Sequence, residues 1–372
     1  MTEHGGWQRA AYASAGRLKR LLGSSPYVSR AAWHVGELTH RWADGGANAG
    51  ASRPRGVADR HAGPTAPTYP YGAPDDDPLA PAPAPGVENP VLSARDVTDF
   101  GAVDLVADPF LLPADDAWHL FFEVYNGFRT PTAAIGHATS ADGRTWTYDR
   151  IVLETDAHLS FPYVFRWEGE HYMVPDAWSR DPDNPADVTL YRAERFPYDW
   201  TPVSRVLAPD RPRHDCVLFR WKGRWWALLG DGDSLYAYHA DDLTASDWTP
   251  HAANPVVTDR PRAGRPAGRP VVREDGVLVF LQQSVGGYGE CVRGYRITDL
   301  TPTTYADEPA APAPVVAPTG GFGWNSGYMH HVDPWADADG TWWCAVDGSV
   351  GFGSRALGAH HWAIGLYRAP PR

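Results

Sequence analysis

The chain has 372 residues, 43% of them hydrophobic, and a formal net charge of -12, which is room for one large domain or two ordinary ones. That charge argues against a nucleic-acid partner, which needs a basic footprint. No run approaches 18 apolar residues, so no transmembrane helix is predicted, and no apolar h-region marks a secretory signal.

The basic side is almost entirely arginine, Lys19 and Lys222 being the two lysines, and Asp far outnumbers Glu. Such usage fits a salt-adapted, halophile-like cytoplasm in which carboxylates keep a surface soluble. A GC-rich genome produces a similar bias. The expected location is cytoplasmic.

Residues 1–45 contain WQRAAYASAGRLKRLLG and SRAAWHVGELTHRWA, both with helical spacing. The first carries Arg9, Arg17, Lys19 and Arg20, a basic face suited to peripheral contact with an anionic membrane. A helical cap or tether against the following domain is the favoured reading. Residues 46–87 are rich in Gly, Pro and Ala and read as a flexible linker.

From residue 88 onward the pattern has period two, and one hairpin layout recurs. DPFLLPADDAWHLFFE (108–123), FPYVFRWEGEHYMVPD (161–176), DCVLFRWKGRWWALLG (215–230), GRPVVREDGVLVFLQQ (268–283) and VDPWADADGTWWCAVD (332–347) each pair two apolar runs across a short turn. The turn positions 116, 169, 223, 276 and 340 are spaced by 53, 54, 53 and 64 residues. Each hairpin is followed by further strand-like sequence, often closing on Asp/Thr-Trp-Thr. Five units of four strands predict an all-β, five-bladed β-propeller over 88–372. The fifth unit stops one strand short after HWAIGLYRAP, and ENPVLSARDV (88–97) is the segment predicted to close the ring. Cys216, Cys291 and Cys344 lie inside strand-like runs without metal spacing and read as buried thiols.

In a propeller the inner strand leaves one face and the second strand returns to it. The repeat therefore defines two rings around one mouth. The first is Asp108, Phe161, Asp215, Gly268 and Val332; the second is Glu123, Asp176, Gly230, Gln283 and Asp347. Neighbours add His158, Ser160, His214, Arg265, Arg269, His330, His331 and Asp333. Clustered carboxylates repel unless something offsets them, and the arginines and histidines are placed to do so. Trp178, Tyr288 and Trp324 lie near the same edge as stacking faces for a sugar ring. Carboxylates, arginines and aromatics in one funnel suit a saccharide. No Gly-rich nucleotide loop or metal-ligand spacing appears, so neither a cofactor nor a metal is expected.

ADPFLL with HLFFE, HLSFPYVF with HYMVPDAW, GRPAGRPVV with LQQSVGGYG, and HHVDPW with WWCAVDG together resemble one propeller family over about 90–370. It is the glucosamine inositolphosphorylceramide transferase N-terminal-like domain, also found beside formyltransferase and glycosyltransferase modules. More distantly, Asp108-Pro109-Phe110 is similar to the first-blade motif of glycoside hydrolase families 43, 32 and 68. That resemblance implies a blade-one Asp as base or nucleophile, a blade-two Asp that tunes it, and a blade-three Glu as acid. Asp108 fits the first position. Blade two offers Phe161 where an Asp belongs, and blade three offers Asp215 and no Glu.

The expectation is a carbohydrate-active propeller that cleaves or transfers a glycosyl unit in glycan or cell-surface polysaccharide metabolism. Its catalytic candidates are Asp108, Glu123, Asp176 and Asp215, with Asp108 ionised and Glu123 or Asp176 holding the proton. The alternative is a non-catalytic carbohydrate-binding or scaffolding propeller in glycan assembly. A saccharide or glycoconjugate is the expected partner under both.

Overall fold

A computed structural model describes residues 77–114, 117–179, 185–258, 260, 264–285, 288–337, 340–351 and 361–369. The helical segment expected over 1–45, and the linker as far as residue 76, lie outside them. No described helix is long and apolar enough to cross a membrane.

The described residues form a five-bladed propeller of antiparallel sheets. One short strand, β1 (Ala82–Pro83), precedes the blades. Blade one is β2 (Leu105–Ala114), β3 (Ala117–Tyr125), β4 (Ala133–Ser140) and β5 (Thr147–Leu153). Blade two is β6 (His158–Trp167), β7 (Glu170–Trp178), β8 (Val188–Arg195) and β9 (Tyr198–Leu207). Blade three is β10 (His214–Trp221), β11 (Arg224–Gly230), β12 (Leu235–Ala240) and β13 (Thr249–Pro250). Blade four has an inner strand in two pieces, β14 (Arg265–Pro266) and β15 (Val271–Val272), followed by β16 (Val277–Gln283), β17 (Cys291–Leu300) and β18 (Tyr305–Pro309). Blade five is β19 (Val332–Ala336), β20 (Trp342–Ser349) and β21 (Trp362–Ala369), completed by β1.

Inner and second strands are buried almost throughout, because each is covered by its own blade and by the next one. Their apolar runs form the core between blades. Cys216, Cys291 and Cys344 are free and buried, as expected.

The ring closes upstream of the predicted segment. Ala82 and Pro83 pair with Arg368 and Tyr367 in β21, whereas 88–97 forms no strand. Pro85, Gly86 and Pro90 interrupt a continuous ladder. Residues 89–92 still lie along β21. The Asn89 side chain accepts from Leu366 N (2.7 Å) and donates to Leu366 O (3.0 Å), standing in for a strand partner. Leu92 then bridges Ile364. The closing strand thus falls inside the stretch read as linker.

One backbone feature positions the mouth. In blades one to three the ladder between inner and second strand slips, between Ala107 and Phe110, Ser160 and Tyr163, and His214 and Val217. At each slip one residue adopts a left-handed conformation: Asp108 (φ 53°), Phe161 (φ 44°) and Asp215 (φ 61°). These are the first-ring residues of the repeat. A bulge re-aims the side chain it carries. Asp tolerates this conformation; for Phe161 it is strained, at a cost on the order of 1–3 kcal/mol.

Candidate functional site

The bulges aim the first ring toward the second. Asp108 is influenced by Glu123, Asp215, Asp347 and His330, and Asp215 by Asp176. The four carboxylates singled out in the sequence, Asp108, Glu123, Asp176 and Asp215, therefore share one mouth, and all are buried.

The repulsion is offset across blade boundaries. Glu123 of blade one meets His158 Nε2 of blade two at 3.2 Å, and Thr132 fixes the other ring nitrogen of His158 at 2.8 Å. Asp176 of blade two meets His214 Nδ1 of blade three at 3.0 Å. Asp215 of blade three takes a two-pronged contact from Arg265 of blade four, Nη2 to Oδ1 at 3.0 Å and Nε to Oδ2, and a further bond from Gln282 Nε2 at 2.9 Å. A fork of this kind is strong when desolvated. Blade three has Gly230 where its neighbours have Glu123 and Asp176. A Cβ there would lie 1.7 Å from the Gly264 carbonyl oxygen. The missing side chain lets the 264–265 backbone approach and delivers Arg265 to Asp215.

The remaining sector centres on Asp347. Its Oδ1 accepts from the backbone N–H groups of His330 (3.1 Å) and His331 (3.0 Å), and its Oδ2 accepts from that of Asp108 (3.2 Å). His330 Nδ1 lies 2.8 Å from Asp347 Oδ2 and 3.7 Å from Asp108 Oδ1. Although burial opposes it, Asp347 raises His330 to about 9. The same pairing holds Asp347 below the usual carboxylate range against its burial.

Asp108 goes the other way. Burial pushes it well above the usual range, Glu123, Asp215 and Asp347 add to the shift, and His330 offsets only part. Asp176 is held down despite burial, chiefly by the hydrogen bond from His214. These directions are opposite to the expected ionised Asp108 and, of the two acids expected, Glu123 or Asp176, to a protonated Asp176. The cause is that Asp108 must share His330 with the closer Asp347, whereas Asp176 has its own hydrogen bond from His214.

Several predicted contacts lie elsewhere. Arg269 and Asp333 sit beneath the mouth, fully buried, and Arg269 also donates to Val164 O and Leu111 O, both at 2.9 Å. Asp333 accepts from Leu111 N as well. They bolt the inner strands of blades one, two, four and five together and are closed to a ligand. His331 is equally enclosed, packed edge-on against Phe110 and Phe161, and burial lowers it to about 3. Asp347 too is inaccessible and acts through His330. Ser160 is buried in the ladder opposite Asp176.

Blade four breaks the repeat. The prolines and glycines of GRPAGRP enlarge its bulge, so Arg265 opposes Gln282. Gln282 then reaches Asp215, while Gln283 turns to Arg293, since adjacent residues of a strand face opposite sides. Trp324 is no stacking platform. It lies over Gly348 and Gly365, where a Cβ would meet its ring within 2.8 Å. Trp362, which the repeat did not mark, stacks on His330 at 4.0 Å. Tyr288 is half exposed at the mouth, edge-on to His330 at 5.5 Å. Trp178 stands edge-on to His158 at 5.9 Å. It borders an open cleft of about 550 Å³ between blades one and two, lined also by Thr132, Asp156 and Asp187.

Asp108, His330 and Asp347 present ligand atoms within 4.8 Å of one another, close enough to hold a cation. A protonated His330 already supplies positive charge at that point.

The family described as "Glucosamine inositolphosphorylceramide transferase 1, N-terminal" matches residues 79–349. Glucosamine inositolphosphorylceramide transferase 1 of Oryza sativa subsp. indica is 33% identical over 276 residues, covering 70% of this chain and 36% of the rice protein. The Arabidopsis thaliana protein of the same name is 30% identical over 272 residues, covering 70% and 34%. The chain thus spans about a third of the length of these relatives. A solved structure from work on the GH130 family of mannoside phosphorylases superposes with a TM-score of 0.56 at 14% identity, covering 78% of this chain and 94% of that one. At that identity the likeness is one of fold.

Proposed function

The chain belongs to the glucosamine inositolphosphorylceramide transferase N-terminal family, and on that premise we propose that it is a carbohydrate-active propeller that cleaves or transfers a glycosyl unit at its mouth. One observation carries this reading: two buried carboxyls of the same mouth are driven in opposite directions, Asp108 up and Asp176 down. That is the asymmetry glycosidic chemistry requires.

In this reading Asp108 gives its proton to the glycosidic oxygen as the bond from that oxygen to the anomeric carbon breaks. The resulting Asp108 anion is stabilised by the neighbouring imidazolium of His330. Asp176, or Glu123 of the neighbouring blade, takes the proton of the incoming water or acceptor hydroxyl as its oxygen bonds to the anomeric carbon. His214 and His158 hold those two carboxylates in place. Arg265, anchored on Asp215, and the Tyr288 and Trp178 rings orient the sugar.

The test is turnover by wild type, Asp108→Asn and Asp176→Asn across furanosides, pyranosides and surface glycans. Each variant should lose about 10²–10⁴-fold in turnover and keep its melting midpoint and glycan binding. Binding without hydrolysis or transfer by wild type across the whole screen would overturn the enzyme reading.

A second reading, a non-catalytic carbohydrate-binding or scaffolding propeller, is favoured by Phe161. The first-ring position of blade two carries an apolar ring where the catalytic relatives resembled in sequence would place a carboxylate. In that case Asp108→Asn only weakens glycan affinity.

A further inference from the structure

We propose that Asp108, His330 and Asp347 form a zinc-class metal site where blade five closes on blade one. Their ligand atoms all lie within 4.8 Å of one another. His330 Nδ1 is 2.8 Å from Asp347 Oδ2 and 3.7 Å from Asp108 Oδ1. Zinc binds imidazole and carboxylate at about 2.0–2.2 Å, so ligand atoms at the corners of its tetrahedron stand about 3.3 Å apart. The two observed separations bracket that spacing. No local motif announces the set, since Asp108 and Asp347 are 239 residues apart in the chain.

Two buried imidazoles supply an independent sign of a ligand. His330 Nδ1, for all its closeness to Asp347 Oδ2, lacks the alignment of a hydrogen bond. The ring aims beside that oxygen rather than at it, as it does when a nitrogen and an oxygen both face a third atom. His331 is fully enclosed, with Nδ1 3.8 Å from Asp108 Oδ1. Although the Pro109 carbonyl lies beside it, neither ring nitrogen meets a partner in hydrogen-bond geometry. Buried polar atoms in folded proteins are nearly always satisfied, and an unsatisfied group is one mark of an ion site.

The fold holds the three side chains in place. Asp347 is fixed by the backbone N–H groups of Asp108, His330 and His331, and the left-handed bulge (φ 53°) sets the direction of the Asp108 carboxyl. Trp362 stacks on the His330 ring at 4.0 Å, and Gly289 packs so close that a Cβ there would meet it at 2.7 Å. One imidazole with two carboxylates suits zinc. Calcium takes six to eight oxygens, and Asp347 Oδ1 already accepts two N–H groups. Ligation needs His330 Nδ1 and the Asp108 carboxyl without their protons, which pass to solvent as the ion enters. Under the proposed function those protons belong to the general acid and to the imidazolium beside it, so zinc and turnover exclude each other. That consequence alone rests on the proposed function; the site stands by itself.

The experiment is titration of the full chain with zinc alone by calorimetry, and with cobalt(II) read by visible absorption. Wild type should bind zinc and give the intense band of tetrahedral cobalt. Asp108→Asn and His330→Gln should each weaken zinc at least tenfold, a loss that even an outer partner's removal can cause, and should lose the cobalt band while keeping a cooperative melt. His239→Gln, on β12 of blade three, should bind as wild type does. Equal zinc binding by wild type and both mouth variants would place the ion on other histidines and overturn the proposal. So would displacement of zinc by an equal concentration of calcium. Should a variant fail to fold, the wild-type cobalt spectrum still decides, because a pale octahedral spectrum overturns the site. No glycan enters these titrations: zinc binding by a chain that turns over no glycan would support the site and overturn the enzyme reading.

Discussion

His330 Nδ1 lies 2.8 Å from Asp347 Oδ2, both side chains being enclosed at the axis, and this ion pair sets the protonation of the whole sector. Asp347 is fixed by three backbone N–H groups, so it has little freedom to follow His330 if the imidazole loses its proton. His331 contributes little positive charge here, since burial keeps it neutral down to about pH 3.

The pair predicts a pH-dependent contribution to stability. His330 is raised from 6.5 to about 9 on folding, so the folded state binds the proton more tightly. Its contribution is complete below about pH 6.5 and is lost as pH rises through about 9; a shift of that size corresponds to roughly 3 kcal/mol. The melting midpoint of wild type should exceed that of His330→Gln at pH 6, and the gap should narrow by pH 10. Taking the difference removes the parts of the profile common to both proteins. A gap that stays constant from pH 6 to pH 10 would show that His330 acts only through its packing on Trp362.

Gly230→Ala tests how blade four reaches the mouth. The added Cβ would meet the Gly264 carbonyl at 1.7 Å, so the backbone that carries Arg265 must move. Denaturant unfolding should show a loss of about 1–3 kcal/mol, with glycan binding reduced. Gly323→Ala is the control, because its nearest neighbour is 3.6 Å away and its φ is ordinary. Equal behaviour of the two variants would contradict the close-approach argument.

Arg269 serves the fold, and its substitution should show this. Arg269→Met leaves Asp333 buried without its charge partner and strips a donor from Leu111 O and Val164 O. The expected loss is about 3–5 kcal/mol. Arg269→Lys should recover little of it, because an ammonium lacks the planar fork that reaches three acceptors. Full recovery by lysine in denaturant unfolding would mean that charge alone is required.

The closing segment begins earlier than its strand. Asp77 meets Arg273 of blade four at 2.8 Å and also pairs with Arg296, and β1 then pairs with blade five. Removing residues 1–60 should leave the melting midpoint unchanged. Removing residues 1–84 takes away both Asp77 and β1 and should lower it by several degrees. Equal midpoints for the two truncations would show that the ring holds without its clasp.

The fold was legible in the sequence because a propeller is a local repeat. Each hairpin carries its own period-two pattern and turn, and the spacing of the turns gave five blades. The same spacing placed Asp108, Glu123, Asp176 and Asp215 around one opening. Only the tertiary structure decided what those positions do. Whether a side chain faces the mouth or the core depends on a one-residue bulge, and the longer bulge of blade four exchanged Gln283 for Gln282. Arg265 and Arg269, four residues apart, went to the mouth and to the core according to what neighbouring blades offered them. Protonation was hidden for the same reason. A carboxyl's pKa is fixed by burial and by its nearest partner, and in this ring that partner usually comes from the next blade, 35 to 50 residues away in sequence. Asp108 is driven above the usual carboxylate range because it is buried and no such partner faces it alone.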